Sequence, residues 1–294
     1  MTDIIEKEPI EWQKWKCRCS AVSKIMSNSR SNPTLTEKQA KRLKELEDKP
    51  SLTVPQTEEM AELLVRKENS SKIILSDTYI SYLMEVYSWE TTGKIAVSKE
   101  MDIEFLQKGK AVEPASIELL SFIDDVPYKK NDQRVENDFL SGIPDVFAGE
   151  SLIGCSKLKD LKSIWDYPGF LCKIHSGLAN GNKEQVQAYG DITGCQDLEV
   201  VNALVDMPEI TINDYKRRLM YKMEVATDED PEYKAAAAQM EWSMRFTDIP
   251  PHKRVFKMKV EPFTDFERQA VYDRVKVGRD WLCRFDETYQ QFNR

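Results

Sequence analysis

Histidine is nearly missing from this chain, with only His175 and His252, and the six cysteines include no C-x-x-C pair. Zinc and iron–sulfur cages need closely spaced sulfur and imidazole donors, so no structural metal of that kind is expected; the lone C-x-C at Cys17 and Cys19 does not supply one. The scattered cysteines read as reduced thiols of a cytoplasmic protein, because a chain of 294 residues needs no disulfide staples. Long apolar runs are missing too, and the N-terminus MTDIIEKEPIEWQ has neither a basic nor an apolar leader region. Neither a membrane span nor a secretory signal is expected. Glycine and proline are sparse, at 11 and 13 residues, which excludes collagen-like and low-complexity classes. What remains is a globular chain with 41% apolar and 31% charged residues, long enough for about two domains or one elaborated one.

Positive charge is also in deficit, with 42 Lys and Arg against 50 Asp and Glu, a net charge of -8. Phosphate binding is driven by Lys and Arg releasing counterions, so an even spread of this charge would argue against a nucleic-acid partner. The spread is uneven. Between Lys14 and Lys44 the only acid is Glu37, so that segment carries +8 and the rest of the chain -16. It reads either as a basic face on an acidic body or as an ordinary solvated helix surface around Lys38, Lys41, Arg42 and Lys44.

Residues 1–100 read as helical and loop-linked, with helices expected over Thr36–Leu46, from near Pro55 through Leu64, and from Ser76 through Tyr87. Thr91-Thr92-Gly93-Lys94 lacks the glycine-rich run of a phosphate loop. A helix is expected from Met101 to about Phe122, kinked or restarted at Pro114. Residues 101–207 then supply strands at Val135–Leu140, Asp145–Ala148, Lys157–Lys162 and Val200–Val205, with a helix over Lys183–Ile192. That pattern is a compact α/β core. Residues 208–294 return to helix at Tyr215–Ala226, Ala235–Ala238 and Thr264–Phe285, with one strand at Val255–Val260. Helical N- and C-terminal regions packed on the core would make one integrated domain.

The most informative stretch is Gly142-Ile143-Pro144-Asp145, followed by Asp160-Leu161-Lys162. Residues two apart on a strand share a face, so Asp160 and Lys162 project together, and Asp145 on a neighbouring strand brings a second carboxylate. Hard oxygen ligands of this kind suit Mg²⁺ or Mn²⁺. Three other acid-x-Lys triplets, ending at Lys49, Lys216 and Lys234, lack this context. Downstream, Gln185 and Tyr189 lie four apart on one helical face; alternatively Asn182 is an N-cap with Gln185 as its capping-box partner, and Tyr189 is core. Upstream, Glu113 is either a further ligand or a solvated helix glutamate.

Taken in order, G-x-x-x-E at Gly109 and Glu113, G-x-P-D at Gly142 and Asp145, D-x-K at Asp160 and Lys162, and Q-x-x-x-Y at Gln185 and Tyr189 resemble the PD-(D/E)XK nuclease superfamily. The nearest likeness is to its YqaJ-type, lambda-exonuclease-like viral recombinase branch, across about Gly109 to Tyr189. The resemblance implies a restriction-endonuclease-like core, a central mixed β-sheet flanked by helices. It implies a magnesium-dependent deoxyribonuclease, with Mn²⁺ able to substitute, that digests linear double-stranded DNA from 5′ to 3′ in phage-type recombination. Asp145, Asp160 and the Leu161 carbonyl would hold the metal with Glu113 as an additional ligand, and Lys162 would orient or activate the attacking water. Gln185 and Tyr189 would support the site or contact DNA, and Arg18 and Ser20 match the position that holds a 5′ phosphate. A homo-trimer, a single-strand annealing protein as partner, and a phage or prophage gene product in the bacterial cytoplasm are further implications.

The chain departs from the family pattern in three places. The spacing between the two aspartates is long, with residues 149–156 as the extra length. The triplet begins with Asp rather than Glu, and Pro114 follows Glu113 directly. Two other nuclease or fold-based readings stand beside the exonuclease: an endonuclease of the same superfamily, and a non-catalytic DNA-binding protein on this fold.

Overall fold

The structure is a computed structural model and describes residues 10–28, 36–71, 74–94, 103–164 and 166–292. Two compact units divide them. One comprises the described residues of Met1–Cys17, Ala21–Lys94 and Asp265–Arg294, the other those of Arg18–Ser20 and Ile95–Thr264. Among the described residues no helix is long and apolar enough to cross a membrane.

The first unit is helical. It contains α1 (Val22–Ile25), α2 (Glu37–Glu47), α3 (Val54–Ser71), α4 (Asp77–Thr92) and α10 (Asp265–Phe292). Thr36 and Gln39 form a reciprocal capping box that starts α2, and Leu43, Leu46 and Leu63 seal α2 against α3. The buried face of α4 meets α10, where Tyr79 donates its hydroxyl to the Arg274 carbonyl (2.6 Å) and Tyr87 donates to Asp286 (2.7 Å). Several cations of the basic segment are paired within this unit: Lys14 with Glu11, Lys24 with Glu85, and Arg42 with both Glu45 and Glu59. The segment is therefore partly neutralised by acids from elsewhere in this unit.

The second unit is mixed α/β. Its strands are β2 (Val135–Glu136), β3 (Leu140–Gly142), β4 (Val146–Ala148), β5 (Lys157–Ile164), β6 (Leu198–Leu204) and β7 (Val255–Val260), and Arg18 contributes from the short β1 (Cys17–Arg18). Its helices are α5 (Ile103–Asp124), α6 (Tyr167–Ser176), α7 (Asn180–Thr193), α8 (Glu209–Lys222) and α9 (Pro231–Trp242). The larger sheet has the order β4-β5-β6-β7. Its outer pairs are antiparallel and its central pair, β5 with β6, is parallel, with Asp160 opposite Val200 and Lys162 opposite Asn202. All seven residues of β6 are buried, as a strand covered on both faces should be. On one side Val112, Leu120, Tyr128, Val146, Leu161 and Val201 form a core under α5. A second apolar cluster joins Phe170 of α6 to Leu204 and Phe246. The expected mixed central sheet with flanking helices is the architecture found, beside a smaller sheet of order β1-β3-β2.

Three local expectations are corrected, and one helix appears where none was assigned. The run Val135–Leu140 is not one strand: Asn137 Oδ1 accepts from the amides of Phe139 and Leu140 and turns the chain between β2 and β3. Pro114 lies inside a helix that continues from Ile103 to Asp124 without restarting. The helix expected at Tyr215–Ala226 is shifted toward its N-terminus and runs over Glu209–Lys222. No element was expected over Tyr167–Ser176, where α6 forms: Pro168 occupies the first turn, where no amide partner is lost, and Asp166 caps the helix by accepting from the Gly169 amide at 2.6 Å.

Candidate active site

The site is built where β4 begins and β5 continues past it. Beyond the pair Val146 and Lys159, β5 has no further main-chain partner from β4, and the Asp145 side chain takes that place. Its Oδ2 accepts from the Leu161 amide at 2.7 Å. This bond satisfies a backbone donor and fixes the Asp145 carboxylate over the Asp160-Leu161-Lys162 segment. The extra length between the two aspartates is the loop that joins β4 to β5.

Along β5 the alternation places Asp160 and Lys162 on one face and Leu161 in the core beneath α5. Asp160 is fully buried, and Lys162 Nζ lies 2.8 Å from its Oδ2. Among the described residues the Lys162 ammonium is the one group that meets this oxygen. Burial pulls the Lys162 ammonium down, but the charge and hydrogen bonding of Asp160, with the charge of Asp145, together outweigh it and the net direction is upward. Lys162 is thus a resident ammonium that can position or donate. Asp145 is pushed well above the ordinary carboxylate range, first by burial and then by the charge of Asp160, with a smaller push from Glu113.

Helix α7 supplies the next layer. Ala179, not Asn182, is its N-cap, so the alternative capping box does not form. Gln185 is free to reach the sheet, and its Nε2 donates to Asp160 Oδ1 (3.2 Å) and to the Tyr189 hydroxyl oxygen (2.9 Å). Tyr189 is buried, and burial pushes its phenol up, keeping it protonated. The two earlier readings of Tyr189 coincide: it is a core residue whose hydroxyl faces the site.

Gly142 explains its own place in the G-x-P-D motif. A Cβ there would lie 2.6 Å from Tyr189 Cε1 and 2.8 Å from Cys19 Sγ, so only glycine lets β3 pass. The same contact brings the segment Arg18-Cys19-Ser20 to Tyr189; Arg18 and Ser20 are exposed and flank the buried Cys19. Gly109, by contrast, has open space where a Cβ would go.

Glu113 is partly buried on α5 and its Oε2 pairs with Lys130 Nζ at 2.7 Å. Sequence reasoning missed Lys130, which carries no motif. It also missed Asn131, a buried residue whose amide donates to the Asp145 carbonyl and whose side chain donates to the Pro144 carbonyl, both at 2.8 Å. An asparagine just ahead of a strand-like run was the available signal. The structure therefore brings together Asp145, Asp160, Lys162, Gln185 and Tyr189, sets Glu113 beside them on Lys130, and engages Leu161 through its amide.

The donor set suits a hard divalent cation. Two carboxylates converge, one has a buried oxygen met only by the Lys162 ammonium, and the other is destabilised as an anion by burial and by its neighbour. Among the described residues no three His, Cys, Asp or Glu side chains form a ready cage. An ion such as Mg²⁺, which keeps water and substrate phosphate among its ligands, needs no such cage.

This combination of a mixed sheet, converging aspartates and an adjacent lysine sits on a mixed α/β fold. No protein-family model and no curated protein matches the sequence. Solved structures do match the fold. A phage-related exonuclease from Haemophilus somnus 129PT is similar over 94% of this chain and 97% of its own, with a TM-score of 0.57 at 16% identity. An alkaline exonuclease from Laribacter hongkongensis is similar over 96% of this chain and 97% of its own, with a TM-score of 0.53 at 12% identity. The latter enzyme in complex with dAMP matches over 95% and 93%, with a TM-score of 0.51 at 12% identity.

Proposed function

We propose that this chain is a Mg²⁺-dependent exodeoxyribonuclease of the PD-(D/E)XK type that digests linear double-stranded DNA from the 5′ end. The observation that carries the reading is the convergence of Asp145, Asp160 and Lys162 at the start of β4, braced by Gln185, on a fold shared with phage-related and alkaline exonucleases. Asp145 and Asp160, with the Leu161 carbonyl and Glu113, would hold the ion, which when bound polarises the phosphodiester and acidifies water. Mn²⁺ is the expected substitute.

The chain's own groups then have distinct tasks. Hydrolysis adds water across one P–O bond, so negative charge grows on the phosphate oxygens and the leaving oxygen gains a proton. Lys162, an ammonium at rest, positions the attacking water and offsets that charge. Gln185 fixes the rotamer of Asp160, and Tyr189 fixes Gln185 in turn. Arg18 and Ser20, carried to Tyr189 by Cys19, are the residues assigned to the 5′-phosphate end. A trimer, an annealing-protein partner and a cytoplasmic, phage-derived setting complete the same reading.

Release of nucleotides from linear, 5′-phosphorylated duplex with Mg²⁺, measured beside a closed circle, tests it. The expected result is digestion of the linear form alone, abolished by EDTA and by Lys162→Ala. Cutting of the circle would replace the exonuclease with an endonuclease, and full activity in Lys162→Ala would remove the assigned site.

A further inference from the structure

Lys130 belongs to none of the motifs, yet the fold places it with care. The loop that carries it is pinned to the metal-side turn by Asn131, through its amide to the Asp145 carbonyl and its side chain to the Pro144 carbonyl. Asn131 also closes on itself locally, accepting from the Gln133 amide and donating to the Gln133 carbonyl. Lys130 is thus the neighbour of a buried, four-bonded anchor, and its ammonium is delivered to Glu113 at 2.7 Å while its side chain stays 46% exposed. The charges of Asp132 and then Asp145 reach it as well.

Charge then decides what such a group can do. With every group in its charged form, Glu113, Asp145 and Asp160 against Lys130 and Lys162 give a formal charge of -1. A divalent ion brings it to +1, and one phosphodiester restores neutrality. A half-exposed ion pair is weak enough to exchange partners, and Glu113 is better used on the ion than on an ammonium.

The geometry points to Lys130 as a substrate-binding residue: in the loaded site it leaves Glu113 and grips a phosphodiester oxygen of the duplex next to the bond being cut. This assignment rests on the nuclease reading above. It separates the two lysines, with Lys162 acting in the chemical step and Lys130 in binding.

The test uses the full chain with Ca²⁺ in place of Mg²⁺, so that fluorescence anisotropy can follow binding of linear duplex without turnover. Lys130→Ala is expected to weaken binding about tenfold and to lower the log–log salt slope by about 0.9, the release expected for one phosphate contact. Lys130→Arg should restore both. With Mg²⁺, Lys130→Ala should raise KM about tenfold and leave kcat within about threefold, whereas Lys162→Ala loses kcat. Glu113→Gln, which frees Lys130, should tighten metal-free DNA binding. Unchanged affinity and slope in Lys130→Ala, or a loss of kcat at constant affinity, would overturn the assignment and reduce Lys130 to a support for Glu113. If the wild-type chain neither binds nor cuts duplex, the nuclease reading falls; if it does both and Lys130→Ala matches it, only the role of Lys130 falls.

Discussion

Lys159 and Asp160 are adjacent in sequence, lie on opposite faces of β5, and are both buried, at 1% and 0% exposure. The strand thus carries charge on each side. Asp160 faces the candidate active site. Lys159 faces α5, where its Nζ donates to Asp124 and to Glu199, each at 2.7 Å, above the Tyr128 ring. Lys257 also pairs with Asp124, and Lys157 with Glu199 and Asp197. This network ties β5, β6 and β7 to the end of α5 directly behind the aspartates, so it braces the strand that must hold them still.

Removing Lys159 should therefore cost stability first. Lys159→Ala leaves Asp124 and Glu199 short of their shared partner, at a cost of about 3 kcal/mol, the low end for a broken buried pair because Lys257 and Lys157 remain. Urea unfolding of the variant beside the wild type measures it. A loss below about 1 kcal/mol would mean that the network is solvated in practice.

Asp124 gives the network a pH signature. Burial raises its carboxyl, but the hydrogen bonds from Lys159 and Lys257 prevail, and the net direction is below the ordinary value. A depressed folded value stabilises the protein above the unfolded carboxylate value of about 4, and that contribution disappears as pH falls through the folded value. Wild-type stability should drop on acidification below about pH 4 more steeply than that of Asp124→Asn, followed by thermal melts in steps of pH. Parallel profiles would show that Asp124 does not titrate with folding.

Much of the site was legible because strand and helix periodicity are local properties. Asp160 and Lys162 sharing a face follows from a two-residue repeat, and Gln185 with Tyr189 from a four-residue one. The unread parts depend on contacts across sequence. Whether Gln185 caps its own helix or reaches the sheet depends on where α7 begins, and it begins after Ala179 rather than after Asn182. Buried Lys159 looked like any strand lysine, because its partners Asp124 and Glu199 lie 35 and 40 residues away. Pro168 and Gly169, common turn residues, here lie in the first turn of α6 behind the Asp166 cap, a start that local composition does not mark.

The two motif glycines, equal in sequence, should behave differently. Gly142→Ala must push against the Tyr189 ring and Cys19, at about 1–3 kcal/mol for an overpacked position, and should cut nuclease activity by displacing Tyr189 from Gln185. Gly109→Ala meets nothing within 4 Å on a helix and should be neutral, or more stable by up to about 1 kcal/mol. Thermal melts and nuclease rates of both variants decide it. Equal tolerance of the two would mean that β3 can move away from α7.

Gln185 is the residue on which positioning and chemistry meet, because one amide nitrogen serves both Asp160 and Tyr189. Gln185→Ala removes the bond that fixes the Asp160 carboxylate while leaving every charge in place. Its expected effect is a fall of about 10–100-fold in rate at saturating metal, the usual cost of losing a group that orients a ligand, with the melting temperature little changed. Gln185→Glu keeps the shape but sets a third carboxylate against Asp160, so it should be the worse variant at low Mg²⁺. Its deficit should narrow as Mg²⁺ is raised, because added cation offsets the added charge, whereas the deficit of Gln185→Ala should persist at saturation. Rates titrated over Mg²⁺ for both variants separate the two effects, and identical titration curves would show that Gln185 acts on something other than Asp160.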